Sequence, residues 1–185
     1  YEFQDFMEVV FQADTPLANL PTFLISQAKE QAGSLRSQEM PMHAKEANRF
    51  AGTYQLTPNL HGLFNVTVRT TNKTGKPIEV TRQFPVNPIA AASGGTVRYG
   101  EQAAMSFPPG ALYEDIFANI FPTTAYVETP GLLVMGAVYD FRPAGCPLEK
   151  KGRIRIQYPA NVKDVKKLGI FWWDNLKKRW YYMND

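Results

Sequence analysis

The sequence predicts an all-β chain, built as two tandem antiparallel β-sandwich domains. Three observations carry that reading. Apolar runs are short and are broken by Gly, Pro, Asn, Asp and Ser, the punctuation of strands joined by turns. Aromatic residues make up 13% of the chain, and aromatics favour half-buried sheet faces. Three stretches, Phe107-Pro-Pro-Gly-Ala-Leu-Tyr-Glu114, Tyr139-Asp-Phe-Arg-Pro-Ala-Gly145 and Ile170-Phe-Trp-Trp-Asp174, read as corners of a sandwich and not as reaction centres.

In the first half, strands are expected near 6–12, 22–28, 35–42, 50–57, 62–71 and 77–86. The 62–71 run alternates. Leu63, Asn65, Thr67 and Arg69 face one way, and Phe64, Val66 and Val68 the other. Period-two alternation places one face on a core and one in water. Asn72-Lys-Thr-Gly75 supplies the turn into the next strand. The segment Gln27-Ala-Lys-Glu-Gln-Ala-Gly33 has helical composition, but it is too short to stand alone and reads as a loop or a single turn closed by Gly33.

Asn87-Pro-Ile-Ala-Ala-Ala-Ser-Gly-Gly95 is small, weakly polar and bracketed by Pro and Gly, the composition of a linker. It divides the chain into domains at 1–86 and 94–185, with 87–93 between them. A connection of about eight residues spans roughly 25 Å when extended. Two separate cores follow, one on Phe64, Val66 and Val68, the other on Val138, Ile154, Ile156 and Ile170. Strands of the second half are expected near 95–99, 101–107, 117–122, 133–141, 152–158, 167–174 and 179–183. At Pro108 and Pro109 two fixed φ angles and two missing amide donors stop a strand. Gly110 then permits a sharp turn, and Ala111 and Leu112 re-enter the sandwich.

The chain ends in a β-hairpin, Ile170–Asp174 returning through a polar connection to Arg179-Trp-Tyr-Tyr182. Ile170 and Trp172 face one way, Phe171 and Trp173 the other, so both faces are heavy. The strand is either covered twice or leaves one aromatic face in water. Trp172, Trp173, Trp180, Tyr181 and Tyr182 are the candidate binding residues. Flat aromatics stack on sugar rings or anchor protein interfaces. The same residues equally suit a sandwich core, since the alternation permits burial of at least one face.

The second half, about residues 93–185, resembles a β-sandwich domain found in ankyrins, netrin receptors, zonula occludens proteins and bacterial surface and envelope proteins. The matching residues are Gly94-Gly-Thr-Val97, Phe107-Pro-Pro-Gly-Ala-Leu112 and Val138-Tyr-Asp-Phe-Arg-Pro-Ala-Gly145. Leu168-Gly-Ile-Phe-Trp-Trp-Asp174 followed by Trp180 is similar to the bacterial form. Some relatives cleave themselves at a His-Phe-Ser sequence. Here His43 and His61 are followed by Ala44 and Gly62 and lie outside the domain, so self-cleavage does not carry over. Cys146-Pro-Leu-Glu-Lys-Lys-Gly152 departs from the pattern after Gly145. The first half resembles bacterial immunoglobulin-like modules through Phe50-Ala-Gly-Thr-Tyr54, His61-Gly-Leu-Phe64 and the turn at 71–75.

Composition narrows the function classes. The chain has 185 residues, 44% hydrophobic and 20% charged, with a net charge of +3 from 20 basic and 17 acidic residues. That bias is too small to argue for nucleic acid. Basic residues do gather at Lys150, Lys151, Lys163, Lys166, Lys167, Lys177, Lys178 and Arg179, where they serve as solvated strand edges or as a weak patch for an anionic partner. With Cys146 as the single cysteine, no internal disulfide can form. No apolar run approaches the ~20 residues of a membrane span. The start at Tyr1 reads as an excised piece of a longer protein.

The residue types of a catalytic constellation do not come together along the sequence. A nucleophile triad needs a histidine beside a Ser or Cys, but Cys146 lies in the other half from His43 and His61. Glu39, His43 and Glu46 come closest to a metal set, and Met40-Pro-Met42 breaks any helix that would align them. Glu114 and Asp115 are adjacent, so on a strand they point to opposite faces, unlike a glycosidase pair. Asn65-Val-Thr67 and Asn72-Lys-Thr74 match the N-glycosylation pattern, which carries no weight in a bacterial protein.

The expectation is a non-catalytic pair of modules, with no cofactor and no metal, from a bacterial secreted or cell-envelope protein. Such modules space, dock or interact with the remainder of a larger polypeptide, or with a protein or glycan partner. A carbohydrate-binding module using the Trp/Tyr hairpin is the alternative, and a hydrolase fragment using His43 or His61 the third reading.

Overall fold

The computed structural model describes residues 6–28 and 38–183. The helical-looking segment ending in Gly33 and the start of the strand expected at 35–42 lie largely outside the described residues. What is described is all-β, and every strand pair is antiparallel.

The first half holds β1 (Phe6–Gln12), β2 (Thr22–Gln27), β3 (Met40–Pro41), β4 (His43–Glu46), β5 (Arg49–Gln55), β6 (Gly62–Thr71) and β7 (Pro77–Val86). They form two sheets, ordered β1-β5-β4 and β3-β2-β6-β7. One apolar cluster draws on both: Val9 and Phe50 from the first, Phe23, Ile25, Phe64, Val66 and Val68 from the second. The alternation of β6 is realised, with Phe64, Val66 and Val68 buried and Leu63 and Arg69 exposed. Thr67 is buried on the other face, where its hydroxyl lies 2.9 Å from that of Thr81. At the β6–β7 turn the Asn72 side-chain oxygen accepts from the amides of Thr74 and Lys76, at 3.1 and 2.8 Å. An asparagine there mimics a turn of backbone.

The 87–93 segment is not slack. It carries β8 (Pro88–Ile89), which pairs with β11 (Ile116–Phe117). Ile89 is buried, and the Ala91 amide donates to Asp115 at 2.8 Å. Ile89 is what packs, while Ala90, Ala92 and Ser93 stay exposed. Val86 belongs to the first cluster and Ile89 to the second, while Phe117 packs against the first and Ile116 belongs to the second. The two clusters meet here.

The second half continues with β9 (Gly95–Tyr99), β10 (Ala103–Phe107), β12 (Asn119–Thr123), β13 (Val138–Arg142), β14 (Arg153–Ile156), a 3-10 turn at Val165–Lys167, β15 (Ile170–Asp174) and β16 (Arg179–Met183). The sheets are β9-β10-β14, β8-β11, β12-β13 and β15-β16. The corner at Pro108 and Pro109 forms as expected. Gly110 takes φ 66°, and Ala111 and Leu112 are buried. Gly94 answers a tighter demand, since a Cβ there would lie 2.2 Å from the Phe107 carbonyl oxygen.

The second core differs from the expected one. Val138, Ile154, Ile156 and Ile170 are only half-buried. The cluster is instead Ile89, Val97, Ala103, Met105, Phe107, Leu112, Ile116 and Ile120 with neighbouring alanines. The reason is position in the sheets: among the described residues β14 is an edge strand, β13 pairs only with β12, and β15 only with β16. The strand expected at 133–141 is observed at Val138–Arg142, after Gly136 interrupts the extended run at φ 109°.

Candidate interaction surface

The hairpin of β15 and β16 brings all five candidate aromatics together. The cross-strand pairs are Trp172 with Tyr181, Trp173 with Trp180 and Phe171 with Tyr182. Its turn is made by one carboxylate. Asp174 accepts from the amides of Leu176 and Lys177, at 2.9 and 3.0 Å, and Lys178 then adopts φ 52°. The amide of Lys177 first, then that of Leu176 and the charges of Lys177 and Arg179, hold the Asp174 carboxyl below the usual aspartate range, against the opposing effect of burial.

One face carries Ile170, Trp172, Tyr181 and Arg179. The Trp172 and Tyr181 rings stack with centroids 5.7 Å apart and planes 29° from parallel. The Arg179 guanidinium lies 4.4 Å from the Tyr181 centroid, a cation–π contact, and Lys177 approaches the same ring at 5.6 Å. The opposite face carries Trp173 against Trp180 at 5.3 Å, tilted by 60°, and Phe171 against Tyr182 at 5.3 Å. Such pairs stabilise a hairpin by about 0.5–1.5 kcal/mol each. Trp180 Nε1 donates to the Val127 carbonyl at 2.9 Å, so the hairpin is tied to the irregular segment before β13.

Neither face of the hairpin is sealed. Trp172 is 55% exposed and Tyr182 58%, and none of the five aromatics belongs to either buried cluster. The same holds well beyond the hairpin. Among the described residues from 121 to 183, Asp174 alone is buried. Tyr126, Val127, Leu132, Val134 and Met135 are exposed, and Leu133 is 82% exposed. Lys166, Lys167, Lys177, Lys178 and Arg179 are exposed in the same stretch, and Lys177 and Arg179 lie against the Tyr181 ring. Residues 133–135 of this exposed run fall in the strand expected at 133–141, and an apolar pattern alone does not say what covers it.

The remaining candidates lie apart from the hairpin. His43 is exposed on β4, and His61 is exposed just before β6. Glu39 accepts from the Thr22 hydroxyl at 3.0 Å, and Glu46 faces Arg49 at 3.9 Å. Among the described residues no three His, Cys, Asp or Glu gather as a metal site would require. Cys146 is half-buried against the second cluster. No helix among the described residues is long and apolar enough to cross a membrane. No protein-family model, curated protein or solved structure matches the chain.

Proposed function

We propose that the chain is a non-catalytic pair of β-sandwich modules of a larger bacterial secreted or cell-envelope protein. Residues 1–86 form an immunoglobulin-like module and 94–185 one of the ankyrin and netrin-receptor type. Their role is to space and to dock. One observation carries this reading: the uncovered apolar surface of residues 121–183, with the exposed basic residues of the same stretch. Soluble chains rarely leave large contiguous apolar patches without a partner, and aromatic and arginine side chains are the usual anchors of interfaces. The remainder of the larger polypeptide is the partner, and the basic residues favour an acidic face on it.

The test is binding in trans. The chain and the rest of its polypeptide, made separately, are mixed in a calorimeter. Saturable binding is expected, weakened at least roughly tenfold by Trp172→Ala and by Leu133→Ser. Turnover by the purified chain on peptide, glycan, ester or phosphate substrates would overturn the non-catalytic reading.

A second reading has its own observation. The near-parallel Trp172–Tyr181 stack leaves Trp172 open to solvent, as a sugar-stacking platform requires. Binding on a glycan array, lost in Trp172→Ala and Trp173→Ala with circular dichroism unchanged, would favour a carbohydrate-binding module. Flat responses to cell-wall and plant polysaccharides would remove it.

A further inference from the structure

A second surface lies in the first half, far in sequence from the aromatic hairpin. Between β1 and β7 the two sheets leave a cleft of about 570 Å³. Its walls are Met7, Val9 and Phe11 from β1, and Ile78, Val80 and Phe84 from β7. Both walls are edge strands. Among the described residues β1 pairs only with β5, and β7 only with β6.

The direction of the free backbone groups follows from the neighbours. The Leu63 carbonyl accepts from Ala28, and the Thr71 carbonyl from Ala18. These odd positions of β6 therefore point away from β7, and their partners on β7 point away from β6. Glu79, Thr81 and Gln83 thus turn their amides outward. Pro77 and Pro85 share that phase and have no amide to offer. The free edge of β7 is a short window of donors and acceptors bracketed by two prolines.

The cleft-facing side of β7 runs Ile78, Val80, Arg82, Phe84. Arg82 is a charge within an apolar row. Its Nη1 donates to the Thr81 carbonyl at 3.1 Å, one of the outward acceptors. The guanidinium therefore lies across the free edge. Arg82 has no carboxylate partner among the described residues. Of the acids lining the cleft, Glu8 is engaged by Lys45, and Asp14 lies beyond the end of β1.

We propose that this cleft docks an extended strand from a partner polypeptide. The strand carries aliphatic side chains at alternate positions and one carboxylate in the same phase. Its backbone pairs with Glu79, Thr81 and Gln83, its apolar face fills the cleft, and its carboxylate draws Arg82 off the Thr81 carbonyl. Strand addition takes affinity from backbone hydrogen bonds and specificity from alternate side chains. An inward charge on an edge strand deters unselective pairing, so a strand without the acid must leave Arg82 buried and unpaired. A second copy of β7 paired through the same Glu79, Thr81 and Gln83 window would be centred on Thr81 and set Arg82 opposite Val80, so it brings no carboxylate to Arg82 in that phase. A lipid chain would match the walls but leave the edge amides unused.

The experiment is an amide-resolved NMR titration of the whole chain with two synthetic peptides. Both alternate valine with threonine; one has glutamate at the central valine position, the other lysine. The glutamate peptide is expected to shift amides in 6–14 and 78–84 and to bind roughly tenfold or more tightly than the lysine peptide. Arg82→Gln should erase that preference and Arg82→Glu reverse it. Absence of shifts at those strands with millimolar peptide, or equal affinity of the unmodified chain for both peptides, would overturn the proposal. That result would leave Arg82 as a guard of the edge alone. The aromatic hairpin takes no part in this titration, so its outcome is independent of the docking reading above.

Discussion

The described residues of 6–120 and those of 121–183 use similar side chains to opposite effect. In the first region Phe23, Ile25, Phe64, Val97, Met105 and Ile116 are buried in two clusters that meet at β8 and β11. In the second, Leu133, Trp172, Tyr182 and Leu176 face solvent, and the strands are two-stranded pairs or an edge. The difference lies in what stands behind each strand. A sheet face is buried when a second layer covers it. β6 has β2 and β7 beside it, and its inward face shares a cluster with Val9 and Phe50 of the other sheet. The β15–β16 hairpin holds its rings against each other and, among the described residues, makes one side-chain bond outward, from Trp180 to Val127. Two-stranded hairpins are marginal without a covering layer, and that is the physical case for a partner.

The comparison breaks most sharply at paired substitutions. Phe64, 1% exposed and packed against Phe84, should lose about 3–5 kcal/mol on change to alanine. Trp172→Ala should lose under ~1.5 kcal/mol, since the stack with Tyr181 is most of what it holds. Urea unfolding measures both, and near-equal losses would erase the distinction between the regions.

Next in size is the junction. A fragment starting at residue 94 lacks β8 and the buried Ile89. It should be less stable than a fragment starting at 87 by about 2–3 kcal/mol, the worth of a buried isoleucine. Equal midpoints would show that 87–93 contributes no packing. Gly94→Ala tests the same place from within. A side chain at φ 65° and 2.2 Å from the Phe107 carbonyl should cost about 2 kcal/mol or more, with the loss confined to the second cluster.

The smallest effect concerns the hairpin turn and its pH dependence. The Asp174 carboxyl is held below its ordinary value by the amides of Lys177 and Leu176. A depressed carboxylate stabilises the folded form above the unfolded pKa of about 3.9, and that contribution disappears as pH falls through the folded value. The tryptophan near-UV signal should therefore weaken below about pH 4 before global unfolding. Asp174→Asn should flatten this dependence. A signal indifferent to pH in the unmodified chain would show that the turn does not rest on the carboxylate.

Much of the strand layout was legible because it is local. Period-two alternation located β6 residue for residue, and the Pro108-Pro109-Gly110 corner required no tertiary information. The brief strands β4, β8 and β11 were missed, since two to four residues carry no periodic signal. Composition at 87–93 reads as a linker, and only the partners Asp115 and β11 show that Ala91 is bonded and Ile89 packed there. The five aromatics were placed on one hairpin from their spacing. Whether they were buried was open, because alternation states which residues share a face and not what covers it.

By itself the sequence determined the all-β class, the antiparallel hairpins and the residues on each face of β6 and β15. These follow from side-chain direction, proline and glycine, which act over a few residues. Only the tertiary structure decided that Ile89 packs, that Val138, Ile154, Ile156 and Ile170 stay half-buried, and that β1 and β7 flank an open cleft with Arg82 across its edge. Those outcomes depend on which strands lie side by side and which faces meet, and burial is a property of neighbours distant along the chain.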